Sequence, residues 1–228
     1  MFNKTELSKE VGAAYREYCY VCRRAKVNCL CDSIKPFATR MRFVILMHDK
    51  EAREQKTGTA RLASLCLTNS ELLIGTDFTA NERVNALLRD PSYRPFVLYP
   101  GPEAVNFETP GRALGAEGKT LLVFVIDGTW RLARQLLSKS QNVRGLPRLS
   151  FARGYVSQFA IKRQPMRHCV STIEAIYHLC NEAGAAGYEN LNAQNEALMV
   201  VFKKLVDSQL NYAKGKRRRR EDSQRKNA

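Results

Sequence analysis

The chain has 228 residues, 44% hydrophobic and 26% charged, enough apolar material for one sizeable core with a small appendage. No apolar run nears the roughly 20 residues of a membrane span, and the charged opening MFNKTELSKEVGAAYREY lacks the apolar centre of a signal peptide, so a cytoplasmic protein, monomeric rather than assembled, is the expectation. A net charge of +15 points to a polyanionic partner, although the segment from Lys214 on supplies +6 of it and reads equally as a solubilising disordered tail, residues 214–228.

In chain order, an N-terminal extension (residues 1–14) is followed by CYVCRRAKVNCLC, which packs four of the seven cysteines into residues 19–31. Cys19, Cys22, Cys29 and Cys31 are separated by two, six and one residues, a spacing that lets two short turns offer four thiolates tetrahedrally to Zn²⁺. In a reducing compartment, clustered thiols are metal ligands or redox groups before they are disulfides. An iron–sulfur cluster or a redox pair stays open beside zinc. A closed set of four leaves no free coordination position, so the module, residues 15–35, reads as a structural staple whose Arg23, Arg24 and Lys26 offset thiolate charge.

From residue 36 to 213 the pattern is α/β. RFVILMH (Arg42 to His48), PFVLYP (Pro95 to Pro100) and TLLVFVID (Thr120 to Asp127) show little polar alternation, as strands covered on both faces do. Thr59 to Leu67, Asn81 to Leu88, Trp130 to Ser138, Thr172 to Ala183 and Ala193 to Leu210 carry helical spacing of apolar residues. The order predicts a mostly parallel sheet with crossovers on its faces, ligands sitting at the carboxyl ends of its strands. The Gly/Pro-rich stretch Tyr99 to Gly118 is a long loop at such an end.

Two stretches carry candidate chemistry. In VFVIDGTWRLARQLL, Asp127 ends a buried strand, where it points into the ligand crevice as a base or an orienting group, and Trp130 offers a ring for stacking or for a cation. The same residues also suffice for a plain helix start, with Asp127 or Thr129 as N-cap. Ser171-Thr172-Ile173-Glu174 has the composition of a capping box.

Taken together, the four cysteines, Asp127-Gly128-Thr129-Trp130, RLASL and STIEA resemble the DTW-domain family, which includes bacterial tRNA-uridine aminocarboxypropyltransferases, across roughly residues 15–210. The family pattern C-x-x-C-x-R-P-x-x-x-C-x-C is matched at Cys19, Cys22, Arg24, Cys29 and Cys31, with Ala25 at the proline position. In HDKEAREQKTGTARLA, His48 and Glu51 match the family's H-P-x-E stretch and Asp49 replaces its proline.

The resemblance implies a SPOUT-like fold with a C-terminal trefoil knot holding S-adenosylmethionine, a topology that periodicity does not reveal. It implies transfer of the donor's 3-amino-3-carboxypropyl group to ring N3 of a tRNA uridine, with methylthioadenosine released. Three loops would hold the donor: Pro100 and Gly101; Ile126, Gly128, Thr129 and Trp130; and Ser171, Thr172 and Glu174. Asp127 is then the catalytic candidate, as base or orienting group. For tRNA, Arg23, Arg24, Arg131, Arg134, Lys162 and Arg163 are the candidate phosphate contacts, with Arg153 and Arg167 beside them. A zinc-bearing RNA-binding protein without catalysis and a SPOUT-like RNA methyltransferase are the rival expectations.

Overall fold

Three apolar stretches and two further segments become the strands of one parallel sheet in a computed structural model, which describes residues 17–54, 58–109, 114, 118–161 and 169–226, with 216–226 as backbone. The strands are β1 (Arg42–His48), β2 (Ser70–Gly75), β3 (Tyr93–Leu98), β4 (Thr120–Asp127) and β5 (Arg148–Leu149), in the order β2-β1-β4-β3-β5. Met47 lies opposite Asp127 across β1 and β4, so the carboxyl ends of the two central strands sit side by side.

Alternation along the strands builds two cores. Phe43, Ile45 and Met47 of β1 and Leu121, Val123 and Val125 of β4 face α2 (Thr59–Cys66), α6 (Thr172–Ala185) and α7 (Glu196–Lys226). Val44, Leu46, Leu122 and Phe124 face the opposite way, onto α3 (Glu82–Arg89), α4 (Trp130–Lys139) and α5 (Gln141–Arg144). Phe43, Phe96 and Phe124 are fully buried; truncating one such side chain to alanine costs about 3–5 kcal/mol. The expectation of strands covered on both faces holds for these central strands, with a short α1 (Asp49–Glu54) following β1 directly.

Two strands escape the apolar-run criterion. SELLIG forms β2 at the sheet edge, where Ile74 is 47% exposed and Glu71 pairs with Arg42 and with Arg83. β5 has only two residues, extended by a parallel bridge between Val105 and Leu149, so part of the Tyr99–Gly118 loop lies along the other edge. Residues 214–226, expected as a disordered tail, instead continue α7 as helix. That segment contains no proline, consists largely of residues with good helix propensity, and extends a helix already anchored by Leu198, Val201, Phe202 and Leu205.

The cysteine module is built differently. Between residues 17 and 35 only Cys22, Arg24, Leu30 and Ser33 are buried. Two short 3₁₀ turns, Lys26–Asn28 and Cys31–Ser33, and an antiparallel bridge between Tyr18 and Ala25 shape it. The second turn packs on α7, where Asn28 Oδ1 lies 3.5 Å from Ser208 Oγ. The extension, residues 1–14, lies outside the described residues.

Candidate functional site

Asp127 is the last residue of β4 and is buried. Thr172 Oγ1 donates a hydrogen bond to its Oδ1 at 2.5 Å, fastening the start of α6 to the end of the central strand. Ser171 and Glu174 set that start by a capping box. Glu174 is 1% exposed, and its carboxylate accepts from Ser171 N (2.8 Å), Ser171 Oγ (2.6 Å), Ser157 Oγ (2.8 Å) and Gln158 N (2.6 Å). It therefore ties loop 157–158 to α6 and positions Ser171 and Thr172.

The strand-to-helix turn after Asp127 is tight. A Cβ on Gly128 would meet Leu132 Cβ at 3.2 Å and His48 Cβ at 3.6 Å, which explains a glycine there. Thr129 caps α4, its Oγ1 accepting from Leu132 N at 3.4 Å. Trp130 packs against Tyr99 with ring centroids 5.9 Å apart. Next to Tyr99, Pro100 accepts a hydrogen bond from Arg148 Nη1 at 2.9 Å, and a Cβ on Gly101 would lie 2.5 Å from that same nitrogen. Of the three loops, the one after β3 touches the one after β4 through Tyr99 and Trp130, and the start of α6 touches the end of β4 through Thr172 and Asp127.

On the β1 side stand two residues matched by motif without an assigned role. Glu51 is buried, and its Oε1 accepts from Thr129 N at 3.1 Å, so it orients the Gly128-Thr129 turn. His48 is 1% exposed; its Nδ1 accepts from Lys50 N at 3.2 Å, and its Nε2 is buried without a partner among the described residues. The spacing of the two in HDKE was the available signal.

The four module thiols come together with all their sulfurs within 4.8 Å of one another. Cys19 and Cys31 Sγ are 3.5 Å apart, and Cys22 and Cys29 Sγ 3.7 Å. Metal–sulfur bonds of about 2.3 Å in a tetrahedron require sulfur–sulfur edges of about 3.8 Å, whereas a disulfide requires about 2.05 Å. The cluster fits a metal ion. A hydrogen bond from the Cys22 backbone holds the Cys19 thiol down at about 6, whereas burial and then the neighbouring thiols push Cys31 up.

Between this module and the ends of β1 and β4 lies a cavity of about 290 Å³, bordered by Tyr18, Arg23 and Arg24 of the module, Glu51 and Arg53 of α1, Arg61 of α2, and Asp127. The arginines differ in what they do. Arg24 is buried, donates from Nε to Asn28 O at 3.0 Å and so helps close the module. Arg53 pairs with Asp49 at 2.6 Å. Burial, and then the charge of Arg23, hold the Arg61 guanidinium below its ordinary value. Arg131 and Arg134 are exposed on the outer face of α4. Arg153 is exposed and pairs with Glu108 at 3.4 Å. Lys162, Arg163 and Arg167 lie outside the described residues.

Residues 16–210 match the family described as the DTW domain. The chain is 27% identical over 203 residues to tRNA-uridine aminocarboxypropyltransferase 2 of Mus musculus, covering 88% of this chain and 66% of the relative. The Drosophila melanogaster protein of the same name is 28% identical over 165 residues, 70% of this chain and 63% of the relative. The chain thus spans slightly less than two thirds of the length of these relatives. No solved structure gives a significant match.

Proposed function

This chain belongs to the DTW-domain family, and on that premise we propose that it transfers the 3-amino-3-carboxypropyl group of S-adenosylmethionine to ring N3 of a uridine in tRNA, releasing methylthioadenosine. The observation that carries the reading is the placement of Asp127: buried at the end of the central strand, held by Thr172, and bordering a cavity rimmed by arginines. The names of the relatives support it. The donor, when bound, supplies an electrophilic methylene beside a sulfonium. The fit is chemical: Trp130 offers an aromatic face to a cation or an adenine, Tyr99 packs beside it under the Arg148 guanidinium, and Asp127 offers a charge of opposite sign.

Uridine N3 carries an imide proton that must leave before nitrogen can form the new C–N bond. Asp127 either accepts that proton or holds the ring edge in line with the reacting carbon. The hydrogen bond from Thr172 fixes its carboxylate in place, which suits the orienting role, the imide proton then passing to water. Glu51 and Glu174 act through others, one fixing the turn at Thr129 and the other fixing Ser171 and Thr172. Pro100, Gly101, Ile126, Gly128, Thr129 and Trp130 form the remaining donor loops in this reading. We assign the fold to the SPOUT type with a C-terminal trefoil knot, a reading supported by the parallel sheet and by the contacts of the loop after β4 with Tyr99 and with Thr172. Residues 15–35 are the zinc module, supported by the sulfur spacing, and residues 36–213 the catalytic domain. Arg23, Arg131, Arg134, Lys162 and Arg163 are the tRNA contacts in this reading, and Arg24, expected among them, is instead buried and bonded within the module. No described helix is long and apolar enough to cross a membrane; reduced thiols and a tRNA substrate suit the cytoplasm.

Incubation with donor and unmodified tRNA, followed by mass spectrometry of the nucleosides, tests the reading. Wild type forms 3-(3-amino-3-carboxypropyl)uridine, and Asp127→Ala loses about 10²–10⁴-fold in rate while still binding tRNA. Unmodified RNA from intact protein would leave a binding protein, and release of S-adenosylhomocysteine would leave a methyltransferase.

A further inference from the structure

Apart from Cys22 of the thiol cluster, the charged side chains lining the cavity beside Asp127 are four arginines and two carboxylates. Of its two carboxylates, Glu51 is engaged by Thr129 N and Asp127 by Thr172 Oγ1. Of its four arginines, Arg53 is paired with Asp49 and Arg24 is engaged inside the module. Arg23 and Arg61 remain, and among the described residues neither has a carboxylate or a hydrogen-bond partner. They come from segments 38 residues apart, brought to one cavity by docking of the module. Arg61 is half-buried and Arg23 exposed, an anion at the cavity would offset their mutual repulsion, and guanidinium forks match phosphate oxygens.

Arg23 also holds a left-handed backbone, φ 53°, a conformation that glycine adopts without strain and a bulky side chain does not. Strain kept at a position that lines a cavity points to a role for the side chain. Beside it, Tyr18 is 51% exposed at the cavity rim and Tyr20 is 95% exposed. Exposed aromatic rings next to paired arginines are the composition of a single-stranded RNA platform.

We infer that Arg23 and Arg61 bind a backbone phosphate of the acceptor RNA, so that the thiol module forms one wall of the reaction site rather than a remote staple. This deepens the proposed function and rests on its acceptor being RNA. A carboxylate of the donor shares the chemistry. RNA is favoured because the cavity opens on the β1 and module side of Asp127, beside the exposed tyrosines, whereas Tyr99, Trp130 and Pro100 gather on the β3 side.

The test measures binding of an unmodified tRNA transcript to the metal-loaded protein across a salt series, for wild type, Arg23→Gly, Arg61→Ala and Arg61→Lys. Arg23→Gly relieves the backbone strain, so the module should keep its metal and its melting temperature. Arg23→Gly and Arg61→Ala each weaken binding about tenfold and lower the slope of log K against log salt by roughly 1. Arg61→Lys restores the slope but not the full affinity, because it keeps the charge and loses the fork. Donor affinity, measured by equilibrium dialysis with S-adenosylmethionine, is unchanged in all three. Wild-type slopes and affinities in Arg23→Gly overturn the inference even if Arg61→Ala fails to fold. Loss of donor affinity with tRNA binding intact overturns it in favour of the donor carboxylate. Wild type that binds tRNA with the predicted salt response yet forms no product leaves the phosphate site standing and removes the proposed reaction.

Discussion

The cysteine module and the parallel sheet reach their shapes by opposite routes. In the sheet, β1 and β4 bury almost every side chain on two faces, and the backbone follows from that burial. In the module, four of the nineteen residues from 17 to 35 are buried, and the converging groups are sulfurs. A sheet of this kind tolerates loss of one contact and pays in stability, whereas a fold defined by four ligands loses its shape when one ligand goes. The cavity proposed as the reaction site lies between the two, so damage to either has its own signature.

The largest expected effect breaks the module alone. Chelation or Cys29→Ser should release one metal per chain and melt the module while most of the far-ultraviolet helical signal persists. Small zinc domains gain about 10–16 kcal/mol from their metal. Cys66→Ser, a change in the sheet-side core at a thiol that burial raises to about 11, should lower the melting temperature less and leave the metal in place. Equal losses from the two variants, or full metal content in Cys29→Ser, would contradict the division.

A second change breaks the other side. Glu174→Ala removes the carboxylate to which Ser157 Oγ, Gln158 N, Ser171 N and Ser171 Oγ donate. Gln158 is exposed and Ser157 and Ser171 are only half-buried, so water replaces part of the lost pairing, and a loss of about 1–3 kcal/mol in denaturant unfolding follows, with metal content unchanged. Transfer activity should fall with it, because Thr172 is no longer set against Asp127.

The smallest effect sharpens the contrast at the sheet edge. Hydrogen bonds from Arg83, then from Arg42, hold Glu71 down at about 2. A carboxylate lowered on folding contributes stability above its ordinary value and loses it as pH falls through the folded value. Glu71→Gln should therefore cost about 1 kcal/mol at neutral pH, and between pH 4.5 and 2 wild type should lose more stability than the variant does. Identical acid limbs in the two proteins would refute this.

Legibility in the sequence followed burial. β1, β3 and β4 are apolar runs because both faces are covered, and they were found within two residues of their ends. β2 was missed because an edge strand carries Glu71 and an exposed Ile74, which break the run. β5 is too short to have a pattern. The capping box at Ser171 and the turn at Gly128 were legible because their causes are local. Glu51 meeting Thr129, 78 residues away, and Arg61 meeting the module are products of tertiary docking, and no spacing along the chain encodes them. The helix through residues 214–226 was misjudged because charge density suggested disorder while the preceding core anchored helix.

The packing of the module on α7 sets an order for synthesis. Asn28 and Ser208 meet across 180 residues of chain. At about 5–20 residues per second, translation separates the two by on the order of 10 s or longer. During that interval the thiols are complete as a set, but the helix they rest on does not yet exist. Metal loading can thus precede docking, and the cavity that Arg23 and Arg61 line together is finished only after α7 has left the ribosome.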